Sequence, residues 1–164
     1  MTACILEEHC VPNKTILAHR PTLQELHFRE RLLSDEETMS YNAAWGGTIP
    51  FPVEKWESWY SRWVEAPADR RYYRYLYEPG LDDFVGEISY HYDEERRIYL
   101  CDVMVLAKYR GCGIDLICRA AKENGIDTLY DDIAADNPAY RLFLKNGFAV
   151  DYQNDDVVMV KKKL

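Results

Sequence analysis

Apolar residues recur along this chain with two different periods, and the switches between them predict its elements. Residues 15–18 read as a short first strand, ended by His19, Arg20 and Pro21. Thr22, Leu23, Gln24 and Glu25 form a capping box, in which the hydroxyl and the carboxylate each satisfy an orphan amide. A helix therefore starts at Thr22, with Leu23, Leu26 and Leu33 on its buried side. A loop at Trp45, Gly46, Gly47 and Pro50 comes next. Val53, Trp56, Tyr60, Trp63 and Val64 then recur at helical spacing and predict a second amphipathic helix, closed by Pro67.

Residues 72–77 and 84–92 alternate as half-exposed antiparallel strands do, joined by a turn at Pro79 and Gly80. Residues 98–106 are nearly continuously apolar, as in a central strand covered on both faces. Ile114, Ile117, Cys118 and Ala121 return to helical spacing, with Gly125 as the C-terminal stop. Residues 128–134 read as a strand, 138–145 as a short helix, and the stretch from Phe148 as one or two final strands. The order β-α-α-β-β-β-α-β-α-β predicts one α/β (α+β) domain over residues 1–164, with a mixed sheet holding both a meander and a crossover.

Composition adds exclusions. A chain of 164 residues with 48% hydrophobic and 29% charged residues has an ordinary globular balance and can bury one sizeable core. A net charge of −8 argues against a nucleic-acid surface, which needs Lys and Arg to neutralise phosphates. The same charge is compatible with a cationic substrate such as an amine, and with solubility alone. Five cysteines (Cys4, Cys10, Cys101, Cys112 and Cys118) form no CxxC pair, and His9, His19, His27 and His91 stand apart, so no metal site is expected. Acidic Glu7 and Glu8, with no long apolar run near them, predict neither a signal peptide nor a membrane span. A cytoplasmic location with reduced thiols is the expectation. Lys161, Lys162 and Lys163 read as a solvated tail.

The junction that carries chemistry is strand, loop, helix: Val105, then residues 106–112, then Gly113 opening the helix. A helix N-terminus offers unpaired N–H groups and partial positive charge, and glycine lets backbone approach a phosphate closely. By itself this loop is also read as a plain turn. Val105-Leu106-Ala107-Lys108-Tyr109-Arg110-Gly111-Cys112-Gly113 resembles the strand and the pyrophosphate loop, (Gln/Arg)-x-x-Gly-x-(Gly/Ala), of the GNAT superfamily of N-acetyltransferases. Asp136-Asn137-Pro138-Ala139 and Phe143-Leu144-Lys145-Asn146-Gly147-Phe148 resemble that family's second motif, one helix and one strand further on.

The resemblance implies a mostly antiparallel central sheet flanked by about four helices, and acetyl-CoA as co-substrate with no metal. The backbone of Val103, Met104 and Val105 would run beside the pantetheine arm. The amides of Arg110, Gly111, Cys112, Gly113, Ile114 and Asp115 would face the pyrophosphate, with Asn137 and Phe143 completing the cofactor contacts. A main-chain amide would polarise the thioester carbonyl, and an acceptor amine would attack it directly. The implied acceptor is a small-molecule or peptide amine, with no nucleic acid and no membrane, on a monomer or a homodimer.

Two positions depart from the family pattern. Asp115 stands where a small residue is usual, and its carboxylate either points sideways or repels the pyrophosphate. Phe143 stands where the family often has a tyrosine that protonates the leaving thiolate, one residue closer to Asn137 than usual. These departures motivate an alternative, a catalytically silent acyl-CoA-binding or sensing domain. Asp132, Asp102 and Glu87 are the candidate bases, since a charge within an apolar strand needs either a partner or a function. Each is also read as half of a structural salt bridge or as simply exposed. Trp45, beside its glycines, is the candidate for an acceptor pocket wall, while Trp56, Tyr60 and Trp63 read as core.

Overall fold

The computed structural model describes residues 15–164. Cys4, Cys10, His9, Glu7 and Glu8 lie outside the described residues, as does the side chain of Trp45. Strand β1 spans Leu17–His19, and the two capping-box bonds form, Thr22 N–H donating to Glu25 Oε2 at 2.8 Å and Glu25 N–H to Thr22 Oγ1 at 3.3 Å. They lead into a 3-10 turn, Gln24–Leu26, however, and the α-helix expected from Thr22 begins only at His27. Helix α1 (His27–Ser34) buries Phe28, Leu32 and Leu33, continuing the apolar side begun by Leu26. A 3-10 turn, Thr38–Trp45, leads towards helix α2, Trp56–Trp63. Val53 is not on that helix's inner face but precedes it, 61% exposed, while Trp59 is buried against Tyr73 at 4.7 Å.

Strands β2 (Arg71–Glu78), β3 (Asp83–Asp93) and β4 (Ile98–Val105) form an antiparallel meander. Helix α3 (Ile114–Glu123) crosses to β5 (Thr128–Ala134), and α4 (Tyr140–Lys145) precedes β6 (Ala149–Gln153) and β7 (Val157–Lys163). One mixed, mostly antiparallel sheet results, in the order β1-β2-β3-β4-β5-β7-β6. Lys161, Lys162 and Lys163 are therefore not a tail but the end of β7. Lys161 pairs with Asp151 at 2.6 Å, and Lys162 Nζ donates to the Asn146 carbonyl at 2.7 Å.

Both faces of the meander are covered, so β2 and β3 are more buried than their alternation predicts. Leu76, Ile88, Tyr90, Cys101 and Leu129 pack with Ile117 of α3. On the other face Tyr73, Tyr75 and Met104 pack with Leu26, Leu32 and Trp59. Burying apolar surface on two faces rather than one is what lets the central strands tolerate so few polar positions.

Candidate active site

Strands β4 and β5 are parallel neighbours, yet they pair only at Tyr99–Leu129 and Leu100–Tyr130. Continuing that register would set Cys101 opposite Asp131 and Asp102 opposite Asp132. Acidic side chains brought together there would repel. Instead the ladder ends there, and a gap opens towards the carboxyl ends of both. In open α/β sheets that is where ligands bind.

The parted edge of β4 has a definite pattern. Leu106 N–H donates to the Val85 carbonyl of β3 at 2.8 Å, in the same register as the β3–β4 ladder. Alternation along the strand then turns the amides and carbonyls of Val103 and Val105 away from β3, into the gap. Met104 differs from its neighbours: its backbone faces β3, and its side chain is buried under α1 and α2. Of the predicted strand contacts, Val103 and Val105 offer the gap main-chain groups and Met104 does not.

At the wide end stands the glycine loop. Gly111 and Gly113 adopt φ of 100° and 103°, a region that disfavours residues with a Cβ. A Cβ on Gly113 would also meet Leu76, Ile88 and Val103 side chains at 3.0–3.1 Å. Gly113 is the N-cap of α3, and the first helical bond runs from Ile117 N–H to its carbonyl at 3.0 Å. The amides of Ile114, Asp115 and Leu116 thus have no carbonyl within the helix, and no side chain caps them. Such a cradle fits a pyrophosphate. The Asp115 carboxylate turns along the helix, 3.6 Å from Arg119, and is well exposed. Arg110 sends its guanidinium to the Glu37 carbonyl at 3.0 Å, and the half-buried Cys112 thiol meets the Tyr109 carbonyl at 3.5 Å.

The second motif splits. Asn137 accepts from the Ala139 amide at 3.0 Å, in the turn just before α4. Phe143 is 5% exposed, its ring set edge-on against Phe148 at 5.1 Å, which places it in the core rather than against a cofactor. Its expected cofactor contact has no side-chain surface to rest on.

The three candidate bases have different surroundings. Glu87 is buried, ion-paired with Arg29 of α1, and receives the Tyr73 hydroxyl. Burial opposes the Arg29 charge, but Glu87 holds that guanidinium firmly protonated, and it lies 4.6 Å from the centre of the Trp59 ring. Asp132 is bonded to Arg96 at 3.0 Å near the surface. Among the described residues Asp102 has no cation within ion-pair distance. It lies deep in the fold yet is exposed to solvent, at the point where the β4–β5 ladder has ended. The depth of the site, with Glu87 and Asp132 nearby, pushes its carboxyl up to about 6, although Arg29 opposes this.

Two further residues belong to this group that the pattern of the chain does not single out. Asp131 is half-buried at the point where the strands part, and burial, followed by the charges of Asp102 and Asp132, raises its carboxyl well above the usual range. Tyr41, on the Thr38–Trp45 turn, has its phenol raised by burial and then by the charges of Asp102 and Glu87, so it lies within reach of their charge. An adjacent acid pair in an apolar strand was the available signal for Asp131. Tyr41 sits in a stretch with no clear period, so nothing marked it. Two shallow depressions elsewhere, along Arg97, Tyr99 and Asp127 and along Tyr130, Ala149 and Lys163, contain none of the candidate residues.

A family model described as Acetyltransferase (GNAT) family matches residues 27–148, spanning the glycine loop, the gap and the second motif. The chain belongs to this acetyltransferase family. It is an N-acetyltransferase by that membership, with acetyl-CoA the donor that the family implies. No curated protein sequence matches it. Among solved structures it resembles the spermidine N-acetyltransferase of Vibrio cholerae in complex with CoA and spermine, at 17% identity and a TM-score of 0.68, covering 90% of this chain and 95% of that one. The GNAT domain of S. lividans PAT aligns at 14% identity and a TM-score of 0.70, over 91% of this chain and 89% of that one. A GNAT-family acetyltransferase of Streptococcus pneumoniae gives 14% identity and a TM-score of 0.71, over 92% and 100%. At such identities these likenesses establish the fold. Among the described residues of this acetyltransferase no helix is long and apolar enough to cross a membrane, and no group of His, Cys, Asp and Glu could hold a metal ion.

Proposed function

We propose that this protein transfers the acetyl group of acetyl-CoA to a cationic amine of a small molecule or peptide, in the cytoplasm. The observation that carries the acceptor class is the acidic group at the point where β4 and β5 part, with Asp102 open to the gap and lacking an ion-pair partner among the described residues. An ammonium arriving there meets the Asp102 carboxylate, which is ionised above about pH 6. The solved spermidine N-acetyltransferase from Vibrio cholerae is in complex with CoA and with spermine, a polyamine.

In this reading the pyrophosphate caps α3 through the amides of 111–115, and the pantetheine arm adds to the β4 edge through Val103 and Val105. That places the thioester towards the narrow end of the gap. The acceptor must shed a proton, since an alkylammonium has a pKa of ~10.4 in water. Asp102 takes it, directly or through one water. The nitrogen attacks the carbonyl carbon, a main-chain amide of β4 stabilises the oxyanion, and the C–S bond breaks as the C–N bond is completed. The thiolate leaves unaided by residue 143 and takes its proton from solvent, which a thiol of pKa ~8.5 permits. The position of Trp45 on the turn beside Tyr41 keeps it a candidate for the acceptor side.

The buried ring of Phe143 favours a second reading, an acyl-CoA-binding sensor. Thermal shift with acetyl-CoA comes first: ligand at ~100 times its dissociation constant adds roughly 2.7 kcal/mol. No shift at millimolar cofactor overturns both readings. Release of CoA thiol across a panel of polyamines, amino acids and peptides then decides between them, since a sensor never exceeds the amine-free blank.

A further inference from the structure

Thr38 ties the glycine loop to the turn that carries Tyr41. It begins that turn and is 1% exposed. Its amide donates to Asp35 Oδ2 at 2.9 Å, and its hydroxyl proton goes to the same carboxylate. The hydroxyl oxygen then accepts the amide of Ala107 at 3.0 Å. Ala107 opens the short turn Ala107–Tyr109 that leads from β4 into the glycine loop. A second tie lies alongside, since Arg110 donates to the Glu37 carbonyl at 3.0 Å. The bonds from Thr38 hold the Asp35 carboxyl below its ordinary range, with a smaller contribution from the charges of Lys108 and Arg110 on the loop.

A buried hydroxyl used as both donor and acceptor fixes the relative position of the two segments it joins. Losing either partner leaves a buried polar group unsatisfied. One of those segments leads into the amides at the head of α3. The other carries Tyr41, near enough to Asp102 and Glu87 for their charges to raise its phenol. Any shift of Ala107 when a ligand settles into the loop is passed through Thr38 to the start of the Tyr41 turn. We propose that Thr38 is a positioning residue for acetyl transfer, whose hydroxyl conveys the placement of the cofactor loop to the acceptor-side turn. The proposal rests on the reading that the glycine loop holds coenzyme A.

Hydrogen–deuterium exchange of the full chain, with and without saturating CoA, tests it in the wild type and in Thr38→Val and Thr38→Ser. The expected result is CoA-dependent slowing of residues 107–116 in all three proteins. Slowing of residues 38–47 is expected in the wild type and in Thr38→Ser, and is lost in Thr38→Val. A role in stability alone would raise exchange in Thr38→Val with and without CoA, leaving the CoA-dependent difference intact, and that outcome overturns the proposal. So does CoA protection confined to residues 107–116 in the wild type. Protection of neither segment refutes the coenzyme A reading itself, a distinguishable failure. Should Thr38→Val not fold, Asp35→Asn loosens the same junction and is expected to uncouple the two segments likewise.

Discussion

Leu100 of β4 lies opposite Tyr130 of β5, and beyond this pair the parallel ladder ends. One step further the register would bring Asp131 to Cys101, and two steps further Asp132 to Asp102. The gap, the acidic group and the exposed main chain of β4 therefore have one origin, the loss of pairing at this point. Its effect on acid–base chemistry is measurable.

Asp102 has a carboxyl raised to about 6, chiefly because of the depth at which it sits. A carboxyl raised on folding favours the folded state in its protonated form, so its contribution is present below the unfolded value of ~3.9 and is lost as pH rises through about 6. Asp102→Asn is expected to melt like the wild type near pH ~4 and at a higher temperature above pH ~7. In activity the direction reverses, because a base must be ionised. The wild-type kcat/KM should climb through about pH 6, and Asp102→Asn should lose that limb along with roughly 10²–10⁴-fold in rate. An unchanged acid limb in the variant would remove Asp102 from the mechanism.

Glu87 is expected to act through structure. Its partner Arg29 is largely buried, so Glu87→Ala leaves an uncompensated charge and should cost about 3–5 kcal/mol. The double variant Glu87→Leu with Arg29→Met removes both charges and should recover much of that loss. Urea denaturation of the single and double variants checks this. If Glu87→Ala were as stable as the wild type, the pair would carry no structural role.

Gly113→Ala combines a left-handed backbone with contacts of 3.0–3.1 Å to three side chains. A stability loss of about 1–3 kcal/mol is expected, with a larger proportional loss of acetyl-CoA affinity, because the first turn of α3 must move. Calorimetric titration with acetyl-CoA reads the second effect. Retained affinity would show that the loop's amides are not what holds the ligand.

Asp115 turns towards Arg119 rather than towards the head of the helix. Asp115→Ala should accordingly leave acetyl-CoA affinity within about twofold, since an exposed pair of this kind contributes little. An affinity gain of ~10-fold or more would mean that the carboxylate opposes the pyrophosphate after all.

Much of this could be read from the chain alone, where the signal is local. The capping box at Thr22 and Glu25, the stripe Ile114, Ile117, Cys118 and Ala121, and the glycine stop at Gly125 each use contacts within a few residues, and each formed as spelled. The glycine loop was legible for the same reason: Gly111 and Gly113 are needed by local backbone geometry. The exposure of β2 and β3 was not, because periodicity reports one covered face while packing by α1, α2 and α3 covers both. Phe143 could be identified as a residue without a proton to give, but its turn into the core against Phe148 is a fact of packing.

The sequence by itself determined the elements, their order, the phosphate-sized cradle at the head of α3 and a short list of carboxylates. Tertiary structure decided what those carboxylates are. Pairing across strands and helices gave Glu87 to Arg29 and Asp132 to Arg96, and left Asp102 exposed where β4 and β5 part, with Asp131 half-buried at the same point. The reason is physical: a side chain's partner and its solvation depend on residues tens of positions away, and spacing along one strand does not encode them.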